Sequence, residues 1–227
     1  VLLNSDTEVA NDWLDRLRAA AHAAPDVASA TPFSNNATIC SYPFEGWKGG
    51  VPGTQSLEAL DAMVAKANAG RVQDIPTAVG FCMYIRRDAL DAVGLFDAER
   101  YGRGYGEEND FCMRAAKAGR RHVLAADTYV FHEGSVSFSD ERFELMRASA
   151  KALVEAHPEY PRLVHDFIRA DPVAPLRAAI DNARVALGAE EARLVLMERE
   201  EERSRLVGDL FQIDRLAAER DERIGQL

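Results

Sequence analysis

Three carboxylates fall within four residues at Glu107-Glu108-Asn109-Asp110, directly behind the glycines Gly102, Gly104 and Gly106. Like charges this close repel, so a fold seldom gathers them merely to fill a loop end. The glycines allow close backbone approach to a ligand or a positive φ. Phe111, Ala115 and Ala118, at i, i+4 and i+7, predict a helix that stops at Gly119. The acids then occupy its first turn, where free N–H groups and the macrodipole favour negative charge. Asp110 is placed to pair with Arg114, four residues on. An acidic helix cap would look the same, and this stretch alone leaves both meanings open.

Two other stretches carry metal-type chemistry. Asn4-Ser5-Asp6 follows the apolar Val1-Leu2-Leu3 and precedes a helical pattern at Val9, Trp13 and Leu17. The carboxyl end of a strand is the usual ligand position in an α/β sheet. Asn4 and Asp6, two apart on an extended segment, project to one side and offer oxygen to a hard cation; the same residues also make a turn and cap a helix. His132-Glu133-Gly134-Ser135 follows an apolar run. A histidine there is often structural, yet Asp6, His132 and a diphosphate would form an octahedral set for Mn²⁺ or Mg²⁺.

The elements that must hold these groups read as alternating strands and helices. Short strand-like pieces at 27–33 and 37–42 lie in a segment, 25–54, rich in Pro, Gly, Ser, Asn and Thr. A loop this long is more often functional than a plain connector. Trp47 within it either stacks on a sugar or covers a core edge. A helix is expected over 57–69, with Leu57, Leu60 and Val64 inward and Gly70 as its stop. Residues 77–85 read as a central strand covered on both faces, in which Gly80 marks a close approach to the backbone. Arg86 and Arg87 then open a short helix ending at Gly94; they either neutralise a diphosphate or are solvated. Another strand is expected over 121–129.

Composition bounds the rest. The 227 residues allow one sizeable domain and an appendage, and the formal charge of −10 argues against nucleic acid as a partner. No apolar run approaches the roughly 20 residues of a membrane span, and no signal peptide is visible. Cys40, Cys82 and Cys112, odd in number and without CxxC spacing, suggest a reducing compartment. The expected location is therefore cytoplasmic, with attachment at the inner face of the membrane as a variant of it. Because the chain opens inside what reads as a buried strand, it is expected to be the later part of a longer one.

In order and spacing, these segments resemble the catalytic domain of glycosyltransferase family 2. Asn4-Ser5-Asp6 is similar to its Asp-x-Asp metal motif with the first acid replaced by Asn. Gly80-Phe81-Cys82, Arg86-Arg87 and Gly94-Leu95-Phe96-Asp97 resemble its acceptor-side segment. Glu107-Glu108-Asn109-Asp110 resembles its Glu-Asp-x-Asp motif, and His132-Glu133-Gly134-Ser135 its metal-binding histidine loop. The resemblance implies an α/β fold of the GT-A (Rossmann-like) type, a mixed sheet flanked by helices, with the family's N-terminal half missing and a helical extension behind. It implies inverting transfer from a nucleotide-diphosphate-sugar donor to a saccharide or other hydroxyl acceptor, in cell-surface polysaccharide synthesis. Glu108 would be the base, with Glu107 and Asp110 as competitors. Asp6 and His132 would hold Mn²⁺ or Mg²⁺. Asn4, Arg86 and Arg87 would face the nucleotide, and Trp47 and Gly80 the acceptor. Since the base-binding half is absent, weak or no donor binding is expected of the chain as it stands.

The domain reading is 1–138 for the partial transferase domain, 139–171 for its helical close and 172–227 for a long helix or coiled coil. Helices are expected over 140–157 and 160–170. In the tail Leu206, Leu210, Ile213, Ala217, Ile224 and Leu227 keep a 4-3 spacing, while Leu176, Ile180, Ala183 and Leu187 keep it in another phase, implying a stutter. Self-association through this helix is the further expectation. The rivals are a non-catalytic scaffold carrying a degenerate transferase domain, and a nucleotidyltransferase of related architecture.

Overall fold

A computed structural model of the chain describes residues 1–102, 105–134 and 140–225, apart from the side chains of 140–144, 210 and 213–225. The elements run β1 (Leu2–Leu3), β2 (Thr7–Glu8), α1 (Trp13–Ala21), β3 (Val27–Phe33), α2 (Leu57–Ala67), β4 (Val72–Ile75) and β5 (Cys82–Ile85). They continue with α3 (Arg87–Val93), α4 (Ala98–Tyr101), α5 (Glu107–Lys117), β6 (Arg121–Tyr129), β7 (Phe131–His132), α6 (Asp140–Ala156), α7 (Tyr160–Ala170), α8 (Ala174–Val185) and α9 (Ala189–Gly225). Two compact units result, Val1–Ala183 and Arg184–Leu227.

The first unit is a mixed α/β domain around a five-stranded sheet of order β1-β5-β3-β6-β4. β3 and β6 are parallel, and every other neighbour pair is antiparallel. All of β3 is buried, as is β6 after its first residue. Strands covered on both faces read as small and branched apolar runs rather than as an alternation, which explains Val-Ala-Ser-Ala-Thr-Pro-Phe. Pro32 is tolerated in a central strand because the register with β6 shifts between it and Phe33. α2 starts where the Ser56 side chain accepts from the Ala59 N–H, and buries Leu57, Leu60 and Val64. Its Asp61, fully buried, receives Arg16 at 2.6 Å and the Tyr129 N–H at 2.9 Å, so one carboxylate ties α1, α2 and β6 together.

Four expectations need correction. The opening Val1-Leu2-Leu3 is exposed, because β1 is an edge strand with β5 as its one neighbour. The strand expected over 77–85 is confined to Cys82–Ile85. Ahead of it, side chains take up the backbone groups that a ladder would have used: Thr31 donates to the Val79 carbonyl at 3.1 Å, and the Ala78 N–H reaches Cys112 Sγ at 3.3 Å. The piece at 37–42 forms a 3₁₀ turn, Thr38–Cys40, in which Thr38 has φ 46° and the Ala37 N–H goes to Ser41 Oγ. In the tail, a turn ending at Gly188 (φ 139°) separates α8 from α9, so the helical run breaks at the end of the first set, ahead of the stretch between Leu187 and Leu206 where the stutter was expected. Leu176 and Ile180 are buried in the core of the first unit instead of lining a seam.

Within the second unit Arg184, fully buried, pairs with Glu191 at 2.9 Å and with Glu198 at 2.6 Å. Leu196, Leu206, Val207 and Phe211 of α9 are exposed. Of the expected seam, the side chains of Leu210, Ile213, Ala217 and Ile224, and all of Leu227, lie outside the described residues, as does Gly104. No described helix is long and apolar enough to cross a membrane.

Buried His122 fastens the helix that carries the acids to the sheet. Its Nδ1 accepts from Ser29 Oγ at 2.7 Å on β3, and its Nε2–H donates to the Cys112 carbonyl at 3.0 Å on α5. Burial lowers its pKa to about 4, outweighing the hydrogen bond to Cys112. A histidine that stays neutral in the folded state and protonates in the unfolded one contributes stability above pH 6.5, which is lost as pH falls toward 4. Replacement by Gln should therefore remove roughly 3 kcal/mol of pH dependence between pH 6.5 and 4, read from urea unfolding of both proteins across that range.

Candidate functional site

β2 and β7 form a separate ribbon of two residues each, pairing Thr7 with His132 and Glu8 with Phe131. Short as it is, this ribbon brings the first residues of the chain to the segment that follows β6. Asn4 and Asp6 occupy a turn between β1 and β2 rather than an extended segment, and both side chains converge on one ring nitrogen. Asn4 Nδ2 lies 3.4 Å and Asp6 Oδ2 3.5 Å from His132 Nε2. Asp6 also accepts the Glu133 N–H on its own carbonyl at 3.0 Å.

The imidazole is held on every side but that one. Its Nδ1–H donates to the Asn36 carbonyl at 2.9 Å, leaving the Nε2 lone pair toward Asp6. Phe81 stacks on the ring at 5.0 Å between centroids. Asn35, 1% exposed, donates from Nδ2 to the His132 carbonyl at 2.9 Å and to the Gly49 carbonyl at 2.8 Å, and accepts the His132 N–H at 2.8 Å. Gly134 sits at φ +70°, a conformation strained for any residue with a side chain, and a Cβ there would also displace the Asn36 amide.

The chemistry of this donor set fits a hard divalent ion. Asp6 Oδ2 and His132 Nε2, 3.5 Å apart, would be the atoms to hold a Mn²⁺ or Mg²⁺. No group of three or more His, Cys, Asp or Glu placed to hold a metal ion is found among the described residues. A cation bound here would complete its shell with substrate oxygens and water.

The three acids of α5 have separate fates. Tyr105 (φ 83°) and Gly106 (φ 99°) turn the chain sharply into the helix. Asp110 is buried against His157 Nε2 at 2.8 Å and Arg114 Nε at 2.7 Å. Burial pushes its acid form up, but the hydrogen bonds and charges of His157 and Arg114 more than offset this and hold it below the usual carboxylate range. Arg114 continues to the carbonyls of Val93 and Leu95, and Lys117 Nζ lies 2.9 Å from the other nitrogen of His157. Asp110 is thereby a structural anchor for the loops around α5, which withdraws it from the candidate bases. Glu107 Oε2 is enclosed, with no hydrogen-bond partner among the described residues.

Glu108 faces open space. It lines a pocket of about 360 Å³ together with Thr77, Asn109 and Tyr160. Burial raises its pKa, the charge of Glu107 adds to this, and N–H groups at the helix start pull the other way. Tyr160 is raised as well, by burial and then by the negative charge of Glu108. A Cβ on Gly80 would be 3.5 Å from Glu108 Cγ, so the close approach expected at Gly80 is made by this side chain. The neighbouring residue is Phe81, stacked on His132. Two adjacent residues, with Cα atoms ~3.8 Å apart, thus pack one against the Glu108 side chain and the other against the His132 ring.

Two expected sets fall elsewhere. Arg86 and Arg87 follow β5 at its far end, whereas Phe81, whose carbonyl accepts the Asn4 N–H at 2.8 Å, precedes it. Five residues of extended chain place the arginines roughly 16 Å from the Asn4 end. Arg86 is also occupied, chelating Asp88 at 2.8 and 2.9 Å and donating to the Ala24 carbonyl, while Arg87 is exposed. The pair thus stands at the opposite end of β5 from the Asn4–Asp6 turn. Trp47 packs edge-on against Phe44 at 5.1 Å, over the backbone of Gly49, and is absent from the pocket lining. Its observed contacts are those of a covering residue. Ser135 lies outside the described residues.

Sequence reading missed Asn35, Asn36 and Tyr160. The asparagines were visible only as polar loop residues, and nothing local marks an amide that grips a histidine 97 positions away. In comparison with known proteins, no family model matches this chain and no curated protein matches it significantly.

Truncating Asn35 to Ala orphans the N–H and carbonyl of His132 and the carbonyl of Gly49. We expect a loss of about 2–4 kcal/mol in urea unfolding, together with the loss of a single Nδ1–H tautomer in the ¹⁵N spectrum of His132.

Proposed function

We propose that the chain carries the metal-and-acceptor side of a GT-A glycosyltransferase resembling family 2, which moves a sugar with inversion from a nucleotide-diphosphate sugar to an acceptor hydroxyl in cell-surface polysaccharide synthesis. The observation that carries this reading is that Glu108 packs close to the backbone of Gly80 while the next residue, Phe81, stacks on His132. A carboxylate with raised proton affinity and a cation-type donor pair thus lie against one short segment, and a pocket of sugar size opens at the carboxylate.

In this reading Glu108 accepts the acceptor's hydroxyl proton as that oxygen bonds to the anomeric carbon and the bond from this carbon to the diphosphate oxygen breaks. A raised proton affinity suits a group that takes up a proton in the transition state. The Gly106 N–H, 3.2 Å from Oε2, and Asn109 Nδ2, 3.2 Å from Oε1, orient the carboxylate without neutralising it. Asp6 and His132 would hold the divalent ion, whose chemistry when bound is to offset charge on the departing diphosphate. Asn4 Nδ2 stands beside them as a donor to the same oxygens or to the ion's water.

The assignment of the base is tested by Glu108→Gln, assayed for transfer with Mn²⁺ and a panel of nucleotide-diphosphate sugars at saturating donor. Transfer should fall by about 10²–10⁴-fold. In the unaltered protein kcat/KM should rise with pH through a carboxylate pKa above the ordinary glutamate value, because the base has to be ionised. Full activity in Glu108→Gln would remove the base from this position.

A further inference from the structure

Glu108 shares its pocket with a second titratable side chain. Tyr160 opens α7, with Pro161 behind it to fix the first turn, and lines the same cavity of about 360 Å³. Burial and then the charge of Glu108 raise its phenol, while a hydrogen bond from Thr77 acts the other way. A bond that favours the phenolate is one the oxygen accepts, so the phenol proton stays available to a ligand. Asn109 Nδ2, by contrast, is taken up by Glu108 Oε1 at 3.2 Å. An ionised carboxylate only accepts, whereas this phenol donates, and the two together suit a ligand that carries more than one hydroxyl.

What seats Tyr160 is a buried clamp onto the helix of Glu108. Two residues past Glu108, Asp110 Oδ1 lies 2.8 Å from His157 Nε2, with Asp110 3% and His157 4% exposed. Lys117 of α5 closes the clamp, its Nζ 2.9 Å from His157 Nδ1 and 3.0 Å from Glu159. The His157 carbonyl in turn accepts the Tyr160 N–H at 3.0 Å. Tyr160 itself is only partly buried. A side chain that merely filled space would need no such seat, whereas a group that meets a ligand in one orientation gains by being held there beforehand.

We propose that Tyr160 is a specificity-determining residue of this pocket, donating from its phenol to a second hydroxyl of the acceptor while Glu108 takes the proton of the first, and that His157 is the positioning residue that seats it. This rests on the reading of Glu108 as the base of a glycosyl transfer. The acceptor class is a saccharide with at least two free ring hydroxyls. One deoxygenated at the second position loses the contact and leaves the phenol without its partner.

Binding to the 227-residue protein, without donor or metal, is read by calorimetry and saturation-transfer NMR. The probes are the methyl glycosides of glucose, galactose, mannose and N-acetylglucosamine, followed by the mono-deoxy analogues of whichever binds most tightly. One analogue should bind about tenfold more weakly than its parent; Tyr160→Phe should weaken the parent by the same factor and erase the difference between the two. His157→Ala should reproduce that loss, and His157→Gln, whose amide nitrogen replaces Nε2 against Asp110, should restore most of the selectivity. If His157→Ala does not fold, the comparison in Tyr160→Phe decides alone. Parent affinity unchanged in Tyr160→Phe, no analogue penalty or one that persists in that variant, or no binding of any saccharide would each overturn the proposal. Tyr160-dependent binding without transfer from any nucleotide-diphosphate sugar would leave the contact standing and sink the transferase reading. Transfer that needs Glu108 but keeps its acceptor KM in Tyr160→Phe would do the reverse.

Discussion

The site depends on one buried amide. Asn35 uses both donors and its acceptor to join the β2–β7 ribbon, through His132, to the loop that runs past Glu45 and Gly49. A ribbon of two residue pairs has little pairing energy of its own. Among the described residues Asn35 is the side chain that holds both the N–H and the carbonyl of His132, and the Asn36 carbonyl that selects its tautomer belongs to the same turn. The position of Asp6 is then a consequence, since the register that sets Thr7 opposite His132 places Asp6 one residue away from that pair.

A second fastening holds the carboxylates. His122 links α5 to β3 from the sheet side, and Asp110, between Arg114 and His157, links it to the loops and to the end of α6. With both ends of this arrangement occupied, Glu108 can remain raised in pKa and open to a pocket without the helix giving way. Of three neighbouring acids, one is spent on structure, one is enclosed, and one is left for a ligand. The segment Gly80-Phe81 couples this assembly to the histidine assembly.

Much of this was legible in the sequence wherever a period or a spacing carried it. β3, β6, α2 and the start of α5 followed from apolar runs and caps, and Asn4, Asp6 and His132 from their places at strand ends. The reading failed where the deciding partner was distant. Arg86 looked free for a diphosphate until Asp88 and the Ala24 carbonyl were seen to hold it at the wrong end of β5. Asp110 could not be told from Glu108 by type or spacing, because only folding brings His157 to it. Residues 77–81 alternate like a strand, but Thr31 and Cys112 satisfy their backbone from other elements. In the tail the 4-3 spacing runs on through a turn that Gly188 allows, so the pattern alone suggested one helix where there are two.

The central claim of the proposed function is that Asp6 and His132 hold a divalent ion, and its most direct test is an EPR titration of Mn²⁺ into the protein without nucleotide. The account predicts a protein-bound Mn²⁺ signal that Asp6→Ala and His132→Ala each weaken by about tenfold or more, and that Glu108→Gln leaves in place. An unchanged Mn²⁺ affinity in Asp6→Ala and His132→Ala, or no bound signal in the unaltered protein, would contradict it.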